Sequence, residues 1–420
     1  MGDVLASAIE VRLGHFVPYR QYKDSGVEWL GTTPAHWTTR PLKRSIVSGS
    51  ADGSLIKGQM HAEPGDRLFP GFSASGQDIW VDEAQHHGPG IVVSAVGARC
   101  GKTFKADGDW TAVANTHVLF PLPGNDRDFL WYVTNNEAFW DRGGTAQPFV
   151  RVTTTLDRAW SFPPTSEQRR IATFLDRETA RIDALVAKKE RLIELLLEKR
   201  SALITRAVTK GLDPNVAMKR SGVEWLGEIP SHWVVKRLGW ICKCLDGHRV
   251  PLNSEERGQM QGEYPYWGAN SVVDHVDRWI FDQELVLLGE DGAPFFERWK
   301  QVAFYVNGKV WVNNHAHVLM PALGVDHRFL VHVLNCVEYR LFIDGSTRDK
   351  LTQADMNAIP IQLPPHDEQV RIRREIDTAA EKIDRLISRV RNGIARAGEL
   401  RSALISAAVT GKIDVREEVA

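Results

Sequence analysis

Ser25-Gly26-Val27-Glu28-Trp29-Leu30-Gly31, followed by Pro34, His36 and Trp37, returns 196 positions later as Ser221-Gly222-Val223-Glu224-Trp225-Leu226-Gly227, followed by Pro230, His232 and Trp233. Two more echoes lie 201 positions apart. Pro163-Pro164 with Glu167-Gln168 recurs as Pro364-Pro365 with Glu368-Gln369. Arg200-Ser201-Ala202-Leu203-Ile204 recurs as Arg401-Ser402-Ala403-Leu404-Ile405. One module is written twice in tandem. Its period far exceeds the ~20–50 residues of solenoid repeats, so each copy is a domain-sized unit.

Each copy has two unlike halves. Roughly Gly26 to Pro163 and Gly222 to Pro364 are rich in Gly, Trp and short β-branched runs. Ile91-Val92-Val93-Ser94-Ala95-Val96 and Leu285-Val286-Leu287-Leu288 read as buried strands, and Gly124-Asn125-Asp126 and Gly292-Ala293-Pro294 read as turns. A short helix is expected over 128–137. From Ser166 to about Val208 there is no Gly and no Pro. Thr165 or Ser166 can cap this stretch, Glu167 suits the dipole of the first turn, and Gly211 stops it. The fold class expected is α+β, with two globular domains in tandem repeat separated by two long antiparallel, coiled-coil-like helices.

A heptad-type seam is read through Ile171, Leu175, Ile182, Leu185, Leu192, Leu196 and Leu203, and again through Ile372, Ile376, Ile383, Leu386, Ile394, Ala397 and Leu404. A helix of ~40 residues is about 60 Å long and needs a long partner, which the other copy supplies. Glu178, Lys189 and Lys199 interrupt the first seam, where the second has Ala379, Val390 and Leu400. The chain also closes on itself. Val208-Thr209-Lys210-Gly211-Leu212-Asp213 matches Val409-Thr410-Gly411-Lys412-Ile413-Asp414, so the end of the second helix mimics the entry into a first globule. The expected boundaries are an N-terminal extension over 1–20, a first globule over 21–165, a spacer helix over 166–210, a second globule over 211–365, a second spacer helix over 366–410 and a tail over 411–420.

Composition sets limits. The 420 residues have room for two or three domains and carry a formal net charge of −1, so overall charge does not advertise nucleic acid and only local patches can. Cys100, Cys242, Cys244 and Cys336 lack zinc-ligand spacing, which points to free thiols in a reducing cytoplasm. Neither a signal peptide nor an apolar run long enough to span a membrane is evident. Gly97-Ala98-Arg99-Cys100-Gly101-Lys102-Thr103 imitates a phosphate-binding loop but has three residues where four are needed. Glu297-Arg298-Trp299-Lys300 beside Asp291 is too sparse for converging nuclease carboxylates. His315-Ala316-His317 lacks further metal ligands, and no Asn-Pro-Pro-aromatic stretch for adenine methylation exists. Neither catalytic nor metal residues are therefore expected.

The doubled Gly-Val-Glu-Trp-Leu-Gly-x-x-Pro-x-His-Trp, the Pro-Pro-x-x-Glu-Gln helix start and the Arg-Ser-Ala-Leu-Ile end resemble the DNA-specificity subunit of type I restriction–modification enzymes. So do Pro265-Tyr266-Trp267-Gly268-Ala269-Asn270 and His315-Ala316-His317-Val318-Leu319. The resemblance covers nearly the whole chain beyond the first ~20 residues, on the organisation expected of a tandem repeat. It implies that each globule is a target-recognition domain reading half of a split sequence in double-stranded DNA. It implies that the helices are ruler and docking surface for two DNA adenine-methyltransferase subunits, with restriction/translocase subunits joining. S-adenosylmethionine, ATP and Mg would sit on those partners, with no cofactor in this chain.

Base-edge and phosphate contacts fall to Arg, Lys, Asn, Gln and His on Gly-rich loops. The candidates are Arg99, Lys102, Lys105, Asn115, His117, Gln147 and Arg151 in the first globule. In the second they are Asn270, Arg298, Lys300, Asn313, Asn314, His315, Arg348 and Lys350. The loops differ most between copies, so the expected target is asymmetric, with half-sites about one DNA turn apart. The alternative is a two-headed protein adaptor using the helix pair as a spacer.

Overall fold

Short β-branched and aromatic runs bounded by Gly build the strands, and the Gly- and Pro-free stretch builds a long helix, as the two halves of the module require. In the computed structural model, residues 16–135, 139–297, 299–343 and 349–418 are described. The chain falls into two units, Met1–Lys188 with Asn392–Ala420, and Lys189–Arg391.

In the first unit β1 (Ile46–Ser50), β2 (Gly90–Ser94), β3 (Thr103–Ala106) and β4 (Thr116–Pro121) form an antiparallel sheet of order β1-β4-β2-β3. A second sheet has Gly76–Val81, Phe69–Ser73, Asp109–Ala112 and His86–His87 in that order, with one parallel pairing, Phe69–Ser73 on Asp109–Ala112. The helix α1 (Arg127–Thr134) follows β4, capped by Asp126, whose carboxylate accepts from the Phe129 N–H. The chain then enters α2 (Thr165–Lys210).

The second unit repeats this plan. Its β5 (Cys242–Cys244), β6 (Leu285–Gly289), β7 (Ala303–Val306) and β8 (Ala316–Pro321) lie in the order β5-β8-β6-β7. The companion sheet again contains one parallel pair, Gln261–Trp267 on Lys309–Val312. The helix α3 (His327–Leu334) is capped by Asp326 as α1 is by Asp126, and α4 (His366–Val409) follows.

The echoes explain themselves as joints of the module. Glu167, 6% exposed, accepts from the Tyr19 hydroxyl at 2.8 Å and the Trp37 indole N–H at 3.0 Å, and lies 2.7 Å from His36 Nε2. Gln168 accepts from the Asp126 N–H and donates to the Pro163 carbonyl. Its counterpart Gln369 accepts from the Asp326 N–H and donates to the Pro364 carbonyl, and Glu368 sits 2.7 Å from His232 Nε2. The repeated Glu thus locks the start of each long helix to the His-Trp motif, and the repeated Gln clamps the turn that caps the short helix.

Each helix end docks on a Trp of the same motif. Gly411 (φ 73°) packs so tightly that a Cβ there would lie 2.4 Å from Pro34 and 3.1 Å from Trp37. Gly211 (φ 74°) abuts Trp233 and Pro230. The tail continues the imitation, because the Asp414 N–H donates to the Val17 carbonyl at 2.8 Å. The first unit is therefore completed by the far end of the chain, as the pseudo-circular sequence pattern implies.

The long helices pack antiparallel within each unit. Ile171 and Leu175 share one core with Leu404, Ala408 and Val409, while Ile372 and Ile376 share the other with Ile204 and Val208. Arg401 pairs with Asp183, and the module-equivalent Arg200 pairs with Asp384, each at 3.2 Å. The expected seam needs one correction. Leu185, Leu192 and Leu386 are 44–46% exposed, off the buried line. That line runs through Ile182, Val186, Ile193 and Leu196 on α2, and through Ile383, Ile387, Val390, Ile394 and Ala397 on α4. After Ile182 the packing steps by four to Val186, whereas a preference for leucine selects the neighbouring row. Leu203 is half-buried, as is Lys189, while Lys199 is exposed. Among the described residues no helix is long and apolar enough to cross a membrane.

Candidate nucleic-acid interface

In the first unit three segments converge where β2 ends. The Ala95 N–H donates to the Asn115 carbonyl, the Val150 N–H to the Ala95 carbonyl, and the Gly97 N–H to the Pro148 carbonyl, all within 2.8–2.9 Å. The turn over 97–101 is a hairpin joining β2 to β3, closed by reciprocal main-chain bonds of Ser94 with Gly101 and Lys102. A strand follows it instead of a helix, so this is no phosphate-binding loop. Buried Cys100 anchors the turn and leaves Arg99 exposed at its tip. Asn115, exposed at φ 67°, and exposed Gln147 and Arg151 lie on the other two segments. Arg142, which sequence reading passed over, belongs here too, since its Nη2 lies 3.4 Å from a Cβ built on Gly101. Its pairing strand with Phe149–Val150 is two residues long, too short to be read from a pattern.

The remaining first-unit candidates are placed differently. Lys105 bridges Asp128 at 2.9 Å and Asp176 at 3.0 Å, with its ammonium 4.6 Å from the Trp131 ring centre, so it ties β3 to α1 and α2. Lys102 is half-buried over Phe104. His117 is half-buried on β4, and burial pushes its pKa below the ordinary imidazole value.

In the second unit the Glu290 N–H donates to the His315 carbonyl and the Leu351 N–H to the Glu290 carbonyl, both at 2.8 Å. The Asn313 N–H reaches the Trp267 carbonyl, and the Ala269 carbonyl lies close to Gly289. Exposed Asn270, Asn314, His315 and Lys350 are thereby gathered at one end of the sheet. Asn313 is buried and accepts from the His315 N–H, so it shapes the turn. Lys300 lines a cleft with Leu197, Arg200 and Ser201, beside α2. Arg298 and Arg348 lie outside the described residues.

Beneath this end lies an ionic cluster of Asp246, Arg249, Glu290 and His317, none of them a sequence-derived candidate, which also holds the candidate Lys350. His317 Nδ1 sits 2.6 Å from Asp246, and its Nε2 is 2.9 Å from the Leu351 carbonyl. Arg249 donates to Glu290 at 2.5 Å, and Lys350 lies 3.2 Å from Glu290. Burial raises the Asp246 carboxyl pKa, but His317, the Val318 N–H and Arg249 more than reverse it, leaving it below the usual carboxylate range. Glu290 is likewise depressed, with Arg249, His317 and Lys350 outweighing burial. Asp246, Glu290 and His317 could each offer one atom to a metal ion. Here Arg249 and Lys350 supply the positive charge, and both His317 nitrogens already face acceptors. His317 lies buried on β8, whereas His315 sits exposed in the turn before that strand, so period-two alternation, which would put both on one face, gave no signal for the cluster.

The model of the type I restriction modification DNA specificity domain matches residues 81–195 and 230–395. The chain is 33% identical over 160 residues to a putative type I restriction enzyme specificity subunit of Haemophilus influenzae, covering 38% of each chain. It is 21% identical over 432 aligned positions to the type I restriction enzyme EcoDI specificity subunit of Escherichia coli, covering 91% of this chain and 90% of the other. A chain solved in work on complex assembly and conformational transition of a type I restriction–modification system shares the fold. That match has a TM-score of 0.66 at 15% identity, covering 90% of this chain and 98% of that one. With the domain matched in both repeats, the chain belongs to the DNA-specificity subunits of type I restriction–modification enzymes.

Proposed function

We propose that each unit reads one half of an asymmetric, bipartite DNA target, and that the long helices dock two adenine-methyltransferase subunits and, through them, restriction/translocase subunits. As a specificity subunit the chain supplies recognition while catalysis lies elsewhere. S-adenosylmethionine, ATP and Mg belong in this reading to the partners. One observation carries it: an identical framework is built twice, yet its converging loops present different side chains. The first unit offers Arg99, Asn115, Gln147 and Arg151, and the second Asn270, Asn314, His315 and Lys350. Arg and Lys suit guanine edges, Asn and Gln suit adenine, and any of them suits phosphate. For docking, the support is that each unit leaves leucines of its long helices exposed, Leu185 in the first and Leu192, Leu195 and Leu386 in the second. The half-site spacing expected is about one turn, ~34–36 Å centre to centre.

The test is to exchange residues 26–163 for those of another family member and sequence methylated adenines in cells carrying the partner subunits. One half-site should change, with the other half-site and the spacing retained. A simultaneous change in both would refute independent reading.

A further inference from the structure

Four segments of the second unit meet at its candidate reading end, and one buried ionic cluster touches all four. The Arg249 side chain, 13% exposed, reaches Glu290 at 2.5 Å, the Ala316 carbonyl at 2.8 Å and Asp246 at 3.3 Å. Asp246 in turn accepts from the Val318 N–H at 2.8 Å and faces His317, which is 1% exposed. His317 reaches across to the Leu351 carbonyl, and Glu290 holds Lys350. The segments so joined are 246–249, the exit of β6 at 290–291, the turn over 313–316 and the stretch 349–351. Asn314, His315 and Lys350 stand exposed on the last two.

The first unit has the same segments without the cluster. Ser50 pairs with His117 across β1 and β4, where the second unit opposes Asp246 to His317. Ala95 makes the same two main-chain bonds as Glu290, accepting from Val150 and donating to Asn115. The place of Lys350 falls to Phe149, which bridges Val96 as Lys350 bridges Asp291. Main-chain bonds and apolar packing suffice to build this end of the framework.

Folding therefore does not demand the ions. A buried ion cluster is seldom more stable than apolar side chains of similar volume, because desolvation offsets the attraction; its best-attested use is to fix one arrangement among several. Arg249 does this directionally, since a planar guanidinium aligns a carboxylate and a carbonyl that a point charge would not.

We infer that the Asp246–Arg249–Glu290–His317 cluster is a positioning element that fixes the 313–316 turn and Lys350 for base reading, so that the half-site of the second unit depends on it and that of the first does not. The inference rests on the two-reader function proposed above. The four residues act through the turn and through Lys350, and none of them is required to touch DNA.

The experiment uses the full chain assembled with its methyltransferase partner, acting on a DNA library randomised in both half-sites, with methylated products sequenced. The exchange of residues 26–163 first assigns each half-site to a unit. Arg249→Met and Glu290→Gln should each lower discrimination by about tenfold or more at one or more positions of the second half-site. That corresponds to about 1.4 kcal/mol, within the range of one bidentate base contact. The first half-site and the spacing should stay unchanged. Arg249→Lys keeps the charge but loses the planar fork, and should fall between wild type and Arg249→Met. If Arg249→Met does not fold, the near-isosteric Glu290→Gln decides. An unchanged second half-site in a folded complex overturns the inference, as does a uniform loss of methylation across all sequences or a shift in the first half-site. A wild-type complex that selects no two-part target would instead overturn the two-reader function itself.

Discussion

Replacing Glu167 by Ala should loosen the first unit far more than replacing Glu368 by Ala loosens the second. Glu167 is 7% exposed in its side chain and serves Tyr19, Trp37 and His36. The Tyr19 hydroxyl stays a donor, because burial and then Glu167 raise its pKa well above the phenol value. Removing the carboxylate forfeits hydrogen bonds to a charged group, about 1.5–3 kcal/mol each, and strands two buried donors at about 1–3 kcal/mol each. These terms overlap and water relieves part of them, so the net cost expected is about 3–5 kcal/mol. Glu368 is 17% exposed and contacts His232, itself 44% exposed, while the Trp233 indole N–H has no partner among the described residues. Its removal should cost about 1 kcal/mol, as for one exposed pair. Hydrogen exchange of the full chain, resolved by segment, measures both. Amides of β2 and β4 should exchange at least a hundredfold faster in Glu167→Ala, by the tenfold-per-1.4-kcal/mol rule, with β6 and β8 unchanged. Glu167→Gln, which keeps an acceptor oxygen, should recover part of the protection. Equal loosening of the two units by the two Ala variants would refute the reasoning.

Further outcomes are expected. A permuted chain opened at Pro214, with the old ends joined by a flexible linker, should fold and retain the target, because the segments at Val17 and Asp414 are already bonded to each other; loss of circular dichroism or of the methylation pattern would count against it. Exchanging Arg401 and Asp183 for each other should restore most of what either single reversal costs, with a coupling of about 0.2–1 kcal/mol, because Asp183 is 59% exposed; a double-mutant cycle measures it. Asp246 and Glu290 are depressed in the folded chain, so their contribution is present above the ordinary carboxylate range, about pH 4, and is lost as the pH falls through their lowered values. Asp246→Asn should flatten the acid limb of the second unit's stability curve, followed by segment-resolved exchange, and an unchanged limb would contradict the assignment.

Much of the framework was legible because it was written twice. A single Pro-Pro-x-x-Glu-Gln is a weak signal, but its return at a fixed distance marked Glu167 and Glu368 as parts of one joint. The same doubling placed Gly211 and Gly411 at equivalent helix ends, and the tail beyond Gly411 against the first globule. The seam was less legible. Heptad reading locates a stripe but does not choose between adjacent rows when both carry leucine and valine, and the row with Val186 won over the one with Leu185. What decides is the shape of the opposing helix, which no local pattern contains.

The candidate interface divides along the same line. Arg99, Asn115, Gln147, Asn314, His315 and Lys350 could be proposed from residue type and Gly-rich context, since surface loops carry such side chains openly. Asp246, Arg249 and Glu290 could not, because a carboxylate on a loop looks like a solvated charge until the fold brings a histidine from β8 against it. Comparing the two copies helps after the fact. Where the framework is shared, the repeats agree, as in the Glu-Gln helix start. Where one copy keeps Ser50 and Ala95 and the other has Asp246 and Glu290, the difference lies outside what folding requires. Positions that differ between copies of one framework, and that are also buried and mutually bonded, are where selectivity is to be sought, more than among the exposed lysines that first attract attention. Lys105 makes the point in reverse: chosen for its charge, it spends that charge on Asp128 and Asp176 and holds the framework together.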